Sequence, residues 1–179
     1  MNILVNNQET NFSSGDFPIL ISGAEKTGTS FFSICLIANL LNSGKKVIFF
    51  SAYPAAKEAF REQIINNEDN AIIIESGEEQ DFLDTIEKIE NLDGRVILIK
   101  NMENYSEKIF EAVKDLKLVI FSGDLDKCSF ADKLLEKNCV SRIFFSQPKR
   151  YPLEGTQALP KYSGIIISEN YNGVIKLDN

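Results

Sequence analysis

A three-layer α/β fold, with a mainly parallel sheet and helices on both faces, is what this sequence predicts, on three observations. Short apolar runs alternate with helical patterns along most of the chain, the signature of strand-helix-strand units. The runs are continuously apolar, as in KVIFFS (46–51), RVILIK (95–100) and KLVIFS (117–122), which marks strands covered on both faces. The stretch from Thr29 to Ser43 has helical length and is apolar almost all round, so it must be buried on more than one side.

Taken in order, Asn2 to Val5 can add a first strand. Phe17 to Ser22 reads as a buried strand. The helix from Thr29 carries Phe31, Phe32, Ile34, Cys35, Leu36, Ile37, Leu40 and Leu41, and Gly44 suits its C-terminal cap. Lys46 to Ser51 is the next strand. Pro54 stands where a helix favours proline, in its first turn, and Ala55, Ala59, Phe60, Ile64 and Ile65 follow. Ala71 to Glu75 is a strand. Glu78 to Asn91 is amphipathic through Phe82, Leu83, Ile86 and Ile89. After the strand Arg95 to Lys100, Tyr105 to Leu116 is helical, with Ile109, Phe110, Val113 and Leu116 on one face. A strand from Lys117 to Ser122, a short helix from Ser129 to Lys137 and a strand from Ser141 to Ser146 complete the alternation. Gln147 to Pro160 holds three prolines and Gly155 and reads as a long loop. Two last strands around Asn172-Gly173, a hairpin signal, would form a C-terminal antiparallel hairpin at the sheet edge.

The chain has 179 residues, 44% of them hydrophobic and 25% charged, as expected of one globular domain over 1–179. Its net charge of −7 argues against an extended nucleic-acid or anionic-membrane surface, which needs a basic patch. There is no histidine, so imidazole acid/base chemistry and imidazole metal sites are excluded. Cys35, Cys128 and Cys139 are far apart in apolar contexts and read as buried free thiols, consistent with a reducing compartment. The first residues lack the features of a signal peptide, and the run from Phe31 to Leu41 is too short to span a bilayer. The expectation is a cytoplasmic protein without membrane insertion.

Chemistry concentrates in Gly23-Ala24-Glu25-Lys26-Thr27-Gly28-Thr29-Ser30. The phosphate-binding pattern needs Gly, four residues, Gly, Lys, then Ser or Thr. Both glycines are at the right spacing and Ser30 fills the hydroxyl position, but Thr29 occupies the place of the lysine. A loop that opens a helix favours anions through free N–H groups and the helix dipole. Lys26 lies three residues early. Either its stem curls back to a terminal phosphate, or it points into solvent.

The run from Ile21 to Glu58 resembles the RecA-like P-loop ATPase superfamily, particularly the branch of replicative helicases and clock-type ATPases. The resemblance lies in the order strand, loop, Ser-Phe-Phe helix, Gly-Lys-Lys-Val and the strand Ile48 to Ser51; Glu25 falls where some members carry a loop glutamate. It implies a catalytic glutamate after that strand, where Ser51-Ala52-Tyr53-Pro54 has no acid. It implies a magnesium-binding acid at the end of an apolar strand, where Val96 to Ile99 runs into Lys100-Asn101. Glu103 is a weak substitute. Asp124, after the strand ending at Ser122, is either a displaced acid or a turn and cap residue; Ser30 and Asp124 are the candidates for a metal.

With lysine, magnesium acid and glutamate all altered, the expectation is a degenerate, non-catalytic member. It would be a binding or scaffolding subunit without cofactor, working on a protein partner or a second copy of the chain. Two alternatives stand beside it: a sensor that binds ATP or another nucleotide without hydrolysis, and an active NTPase using Lys26. An open cavity at the loop favours binding; a loop filled by Lys26 paired with Glu25 favours a structural role. The pairs Phe31-Phe32, Phe49-Phe50 and Phe144-Phe145 read as core. The acids Glu75, Glu78, Glu79, Asp81 and Asp84 read as a solvated helix start, and Lys149-Arg150-Tyr151 as a solvated loop.

Overall fold

The apolar runs become strands of a single sheet. The computed structural model describes residues 2–51, 68–74, 76–136, 139–149, 151, 153, 159, 160 and 162–178. The helix expected from Pro54 and much of the loop between Gln147 and Pro160 lie outside the described residues. The strands are β1 (Ile3–Val5), β2 (Gln8–Glu9), β3 (Ile19–Ser22), β4 (Lys46–Ser51), β5 (Ala71–Ile74), β6 (Arg95–Lys100), β7 (Val119–Gly123), β8 (Ser141–Phe144), β9 (Ser163–Ser168) and β10 (Asn172–Leu177). Their order across the sheet is β2-β1-β10-β9-β8-β3-β7-β6-β4-β5. From β8 to β5 every neighbouring pair is parallel. From β8 to β2 every pair is antiparallel.

Alternation along each strand feeds two cores. Ile19, Ile21, Val47 and Phe49 face one layer, where helix α1 (Thr29–Asn42) packs with Phe32, Leu36, Leu40 and Leu41. Leu20, Ile48 and Phe50 face the other. There lie α2 (Glu79–Lys88), α3 (Glu107–Val113) and α4 (Ala131–Glu136), through Phe82, Phe110 and Leu134. This is the three-layer arrangement expected. Each large side chain so buried contributes about 1.5–3 kcal/mol.

Helix α1 stops in a hydrogen-bonded cap: Gly44 N–H donates to Leu41 O at 2.9 Å and Lys45 N–H to Leu40 O at 3.0 Å. At the start of α3, Ser106 accepts from Lys108 N–H at 3.3 Å. Ser106 also donates from its backbone and hydroxyl to Glu79, at 2.7 and 2.6 Å, so this acid of the α2 start caps a neighbouring helix. The three cysteines are buried free thiols, and burial pushes that of Cys128 up to about 12.

Several expectations need correction. Phe31 is not core: it is 48% exposed, because it falls on the face of α1 turned away from the sheet. Asn172-Gly173 is not the hairpin turn. Asn172 pairs with Ile167 inside the ladder, and residues 169–171 make the turn. Gly173 serves instead as space for the Asn6 side chain, which brackets the strand by donating to Asn172 O and accepting from Val174 N–H, both at 3.0 Å. Nor is the hairpin at the sheet edge, since β1 pairs with β10 and β2 lies beyond it. Helix α3 is shorter than expected, because Tyr105 belongs to the preceding turn, stacked on Phe50 with ring centroids 4.6 Å apart.

Candidate functional site

The loop from Gly23 to Ser30 leaves the end of β3 and opens α1. Its first residues are fastened on both sides. Gly23 N–H donates to Gly123 O of β7 at 3.2 Å, Ala24 N–H donates to Ser146 Oγ at 2.8 Å, and Phe145 N–H donates to Ser22 O at 2.7 Å. A Cβ at Gly23 would collide with the hydroxyls of Thr27 and Thr29 and lie 2.9 Å from Phe145 Cβ. This crowding explains the glycine. Gly28 stands at φ +111° and Lys26 at φ +67°, so the loop curls through left-handed conformations.

Inside the curl, Thr27 Oγ1 donates to Ala24 O at 2.7 Å and meets Thr29 Oγ1 at 3.1 Å. Thr29, at the lysine position, is buried, with its hydroxyl against that of Thr27. Among the described residues, the backbone N–H groups of Glu25, Lys26, Gly28, Thr29 and Ser30 make no hydrogen bond. These are the donors that a bound anion would use.

The loop is not filled. A cavity of about 690 Å³ opens at it, lined on one side by loop residues and Ser30, and on the other by the ends of β6 and β7. Lys26 and Glu25 are exposed at its rim and form no ion pair with each other. Serines tie the floor together: Ser33 Oγ meets Ser122 Oγ at 2.6 Å, and Ser22 Oγ accepts from Leu125 N–H at 3.2 Å.

The far wall holds the residue that sequence reasoning counted only as a loss. Lys100 ends β6, in register with Ser51 and Ser122, and is 6% exposed while still lining the cavity. Its Nζ donates to Asn101 Oδ1 at 2.7 Å. Burial holds its amine below the ordinary lysine value, and the Glu103 carboxylate offsets part of that. Glu103 accepts from Asp124 N–H at 3.0 Å. Asp124 also lines the cavity, but its oxygens are engaged locally: Oδ1 accepts from Asp126 N–H at 3.1 Å, and Oδ2 lies 3.3 Å from Lys127 Nζ. This is a turn and cap arrangement.

Where the resemblance implies an oxygen ligand, a buried ammonium stands. Among the described residues no three acidic or cysteine side chains are grouped to hold a metal. Ser51 ends β4, while Ala52, Tyr53 and Pro54, where a glutamate was sought, lie outside the described residues.

A second, more apolar cavity of about 480 Å³ adjoins the first and shares Gly28, Phe31 and Tyr162 with it. Phe31 and Tyr162 are exposed, at 48% and 54%, and Tyr162 lies over Gly28. Tyr162 was missed from sequence, because only the sheet order brings the segment before β9 beside the loop. Phe32 and Phe145 line the second cavity, Glu78, Glu79, Asp81, Asp84, Lys149 and Tyr151 line neither, and Glu75 and Arg150 lie outside the described residues. Lys149 N–H donates to Asp126 Oδ2 at 2.9 Å, and Asp84 accepts from Gln80 at 2.6 Å.

No protein-family model and no curated protein matches the chain. Solved structures do. The genome packaging NTPase B204 from Sulfolobus turreted icosahedral virus 2, in complex with sulfate, is similar at a TM-score of 0.60 and 14% identity, over 92% of this chain and 98% of that one. The pCW3 conjugation coupling protein TcpA with ATPγS matches at 0.60 and 13%, over 98% of this chain and 65% of that one. The flagellar accessory protein FlaH from Methanocaldococcus jannaschii matches at 0.51 and 14%, over 89% of each chain. No helix among the described residues is long and apolar enough to cross a membrane. At these identities the likeness establishes architecture, and the chain has the RecA-like P-loop fold.

Proposed function

We propose that this chain is a non-catalytic RecA-like subunit that binds a nucleotide at its loop without hydrolysing it and works as a binding component of a protein assembly. One observation carries the reading: the loop cavity is open, while its strand-end wall offers an ammonium where hydrolysis calls for a magnesium ligand. Free N–H groups along the loop suit phosphate. The adjoining apolar cavity between Phe31 and Tyr162 suits a flat ring, since aromatic faces stack on bases. The sulfate and ATPγS complexes of two proteins of this fold support an anion and nucleotide site here.

Hydrolysis lacks its parts. Phosphoryl transfer rests on positioning and on cations that meet developing charge. Each missing contact of this kind forfeits on the order of 10²-fold in rate. Thr29 presents no charge, and Lys26 stands exposed at the rim.

Titration with a fluorescent ATP analogue, beside a phosphate-release assay with magnesium, tests the reading. Saturable binding without turnover is expected. Phe31→Ala should weaken the analogue about tenfold and leave inorganic phosphate unchanged, because stacking on one ring is worth about 1–3 kcal/mol. Magnesium-dependent turnover that Lys26→Ala abolishes would overturn the reading in favour of an active NTPase. Absence of binding at millimolar nucleotide would leave the loop a structural turn.

A further inference from the structure

The loop lacks one cation, and the opposite wall of the same cavity has one. We propose that Lys100 is the phosphate-neutralising residue of this site, so that it holds the phosphates of a nucleoside polyphosphate without a divalent metal. The inference rests on reading the cavity as a nucleotide site, and it names how the charge is met.

Position is the first argument. Lys100 ends β6 and lines the cavity that the loop residues and Ser30 line from the other side. An ammonium there meets a phosphate chain lying on the loop from the side opposite the loop N–H groups. In the P-loop pattern the lysine comes from the helix start; here the helix start offers buried Thr29 and the strand end offers the amine.

Charge is the second. The Glu103 carboxylate acts on Lys100 and also accepts from Asp124 N–H, and Asp124 lies against Lys127. Among the described residues, lysines 26, 100 and 127 balance Glu25, Glu103 and Asp124 around the cavity, in a chain whose net charge is −7. The cavity is therefore less hostile to an anion than the chain as a whole. An ammonium carries three donors, and Asn101 fixes the direction of one.

Exclusion of the metal is the third. Magnesium demands oxygen ligands in near-octahedral geometry. The strand end that would provide one bears a like charge instead, and the nearby carboxylates of Glu103 and Asp124 are held by backbone N–H groups and Lys127. The same residue that repels the metal supplies its electrostatic role.

The test is calorimetric titration of ATP into the full chain, once with excess magnesium and once with EDTA. It is repeated for Lys100→Met and Lys100→Arg, with circular dichroism to check folding. Expected results are equal affinity with and without magnesium to within about twofold, a loss of tenfold or more in Lys100→Met, and retained binding in Lys100→Arg. If ATP binds but requires magnesium, or binds Lys100→Met as it binds the parent, this assignment falls while the nucleotide site stands. If ATP fails to bind the parent chain at millimolar concentration, the nucleotide site falls and takes the assignment with it. Should Lys100→Met not fold, the magnesium comparison on the parent chain and the arginine variant decide.

Discussion

Replacing Phe121 by alanine should lower the free energy of unfolding by about 3–5 kcal/mol, the range for deleting a large side chain that is packed on all sides. Phe121 is 0% exposed and sits in β7, paired with Leu20 of β3 and Ile99 of β6. Its ring lies 6.1 Å from that of Phe110 on α3 and 6.4 Å from that of Phe130 just before α4. Losing it opens a void between the sheet and two helices, none of which can close the gap without leaving its other contacts. Since domains are stable by about 5–15 kcal/mol, one such loss consumes a large share. Urea unfolding should show a lower midpoint with an unchanged slope. Phe31→Ala, on the exposed face of α1, should change stability by no more than about 0.5 kcal/mol. A cost below about 1 kcal/mol for Phe121→Ala would contradict the packing described.

The second large effect is expected at Gly123, where Gly123→Ala should damage stability and ligand binding together. The residue stands at φ +155°, which side chains rarely adopt, and a Cβ would collide with Glu103 Oε2 and lie 2.9 Å from Met102 N. The backbone nitrogen cannot give way as a side-chain tip can. Strain of roughly 1–2 kcal/mol and overpacking of roughly 1–3 kcal/mol add to a cost of about 2–5 kcal/mol. The damage is local to the site, because Gly123 O accepts the Gly23 N–H and Glu103 is the carboxylate beside Lys100. The variant should therefore bind nucleotide at least tenfold more weakly even where it remains folded. Unimpaired binding in a folded Gly123→Ala protein would show that β7 does not set the loop.

The parallel half of the sheet was legible because its signal is local. Lys46 to Ser51 and Arg95 to Lys100 are continuous apolar runs, and both strands have those bounds. The antiparallel half was less so. Asn172-Gly173 carries a turn signal, yet pairing with β9 draws it into the ladder and Asn6, distant in sequence, occupies the space over the glycine. No local pattern encodes that contact. The loop was legible from its glycine spacing. The cavity was not, since it needs Lys100 and Tyr162, which the sheet order carries to the loop from far along the chain. Periodicity placed Phe31 on an all-apolar helix, but an exposed aromatic beside a cavity resembles a core aromatic in sequence.

The pairing of Ile3 with Leu177 has a consequence in time. The parallel strands and α1 all precede β10 along the chain, whereas β1, which precedes them, finds its partner on that side only beyond them. Bringing the two together closes the longest loop in the molecule, and loop-closure entropy makes such contacts late ones. The parallel half of the sheet, with the loop from Gly23 to Ser30, can thus form while the antiparallel half is still open. The Asn6 bracket sets late, because Asn6 and Asn172 stand 166 positions apart.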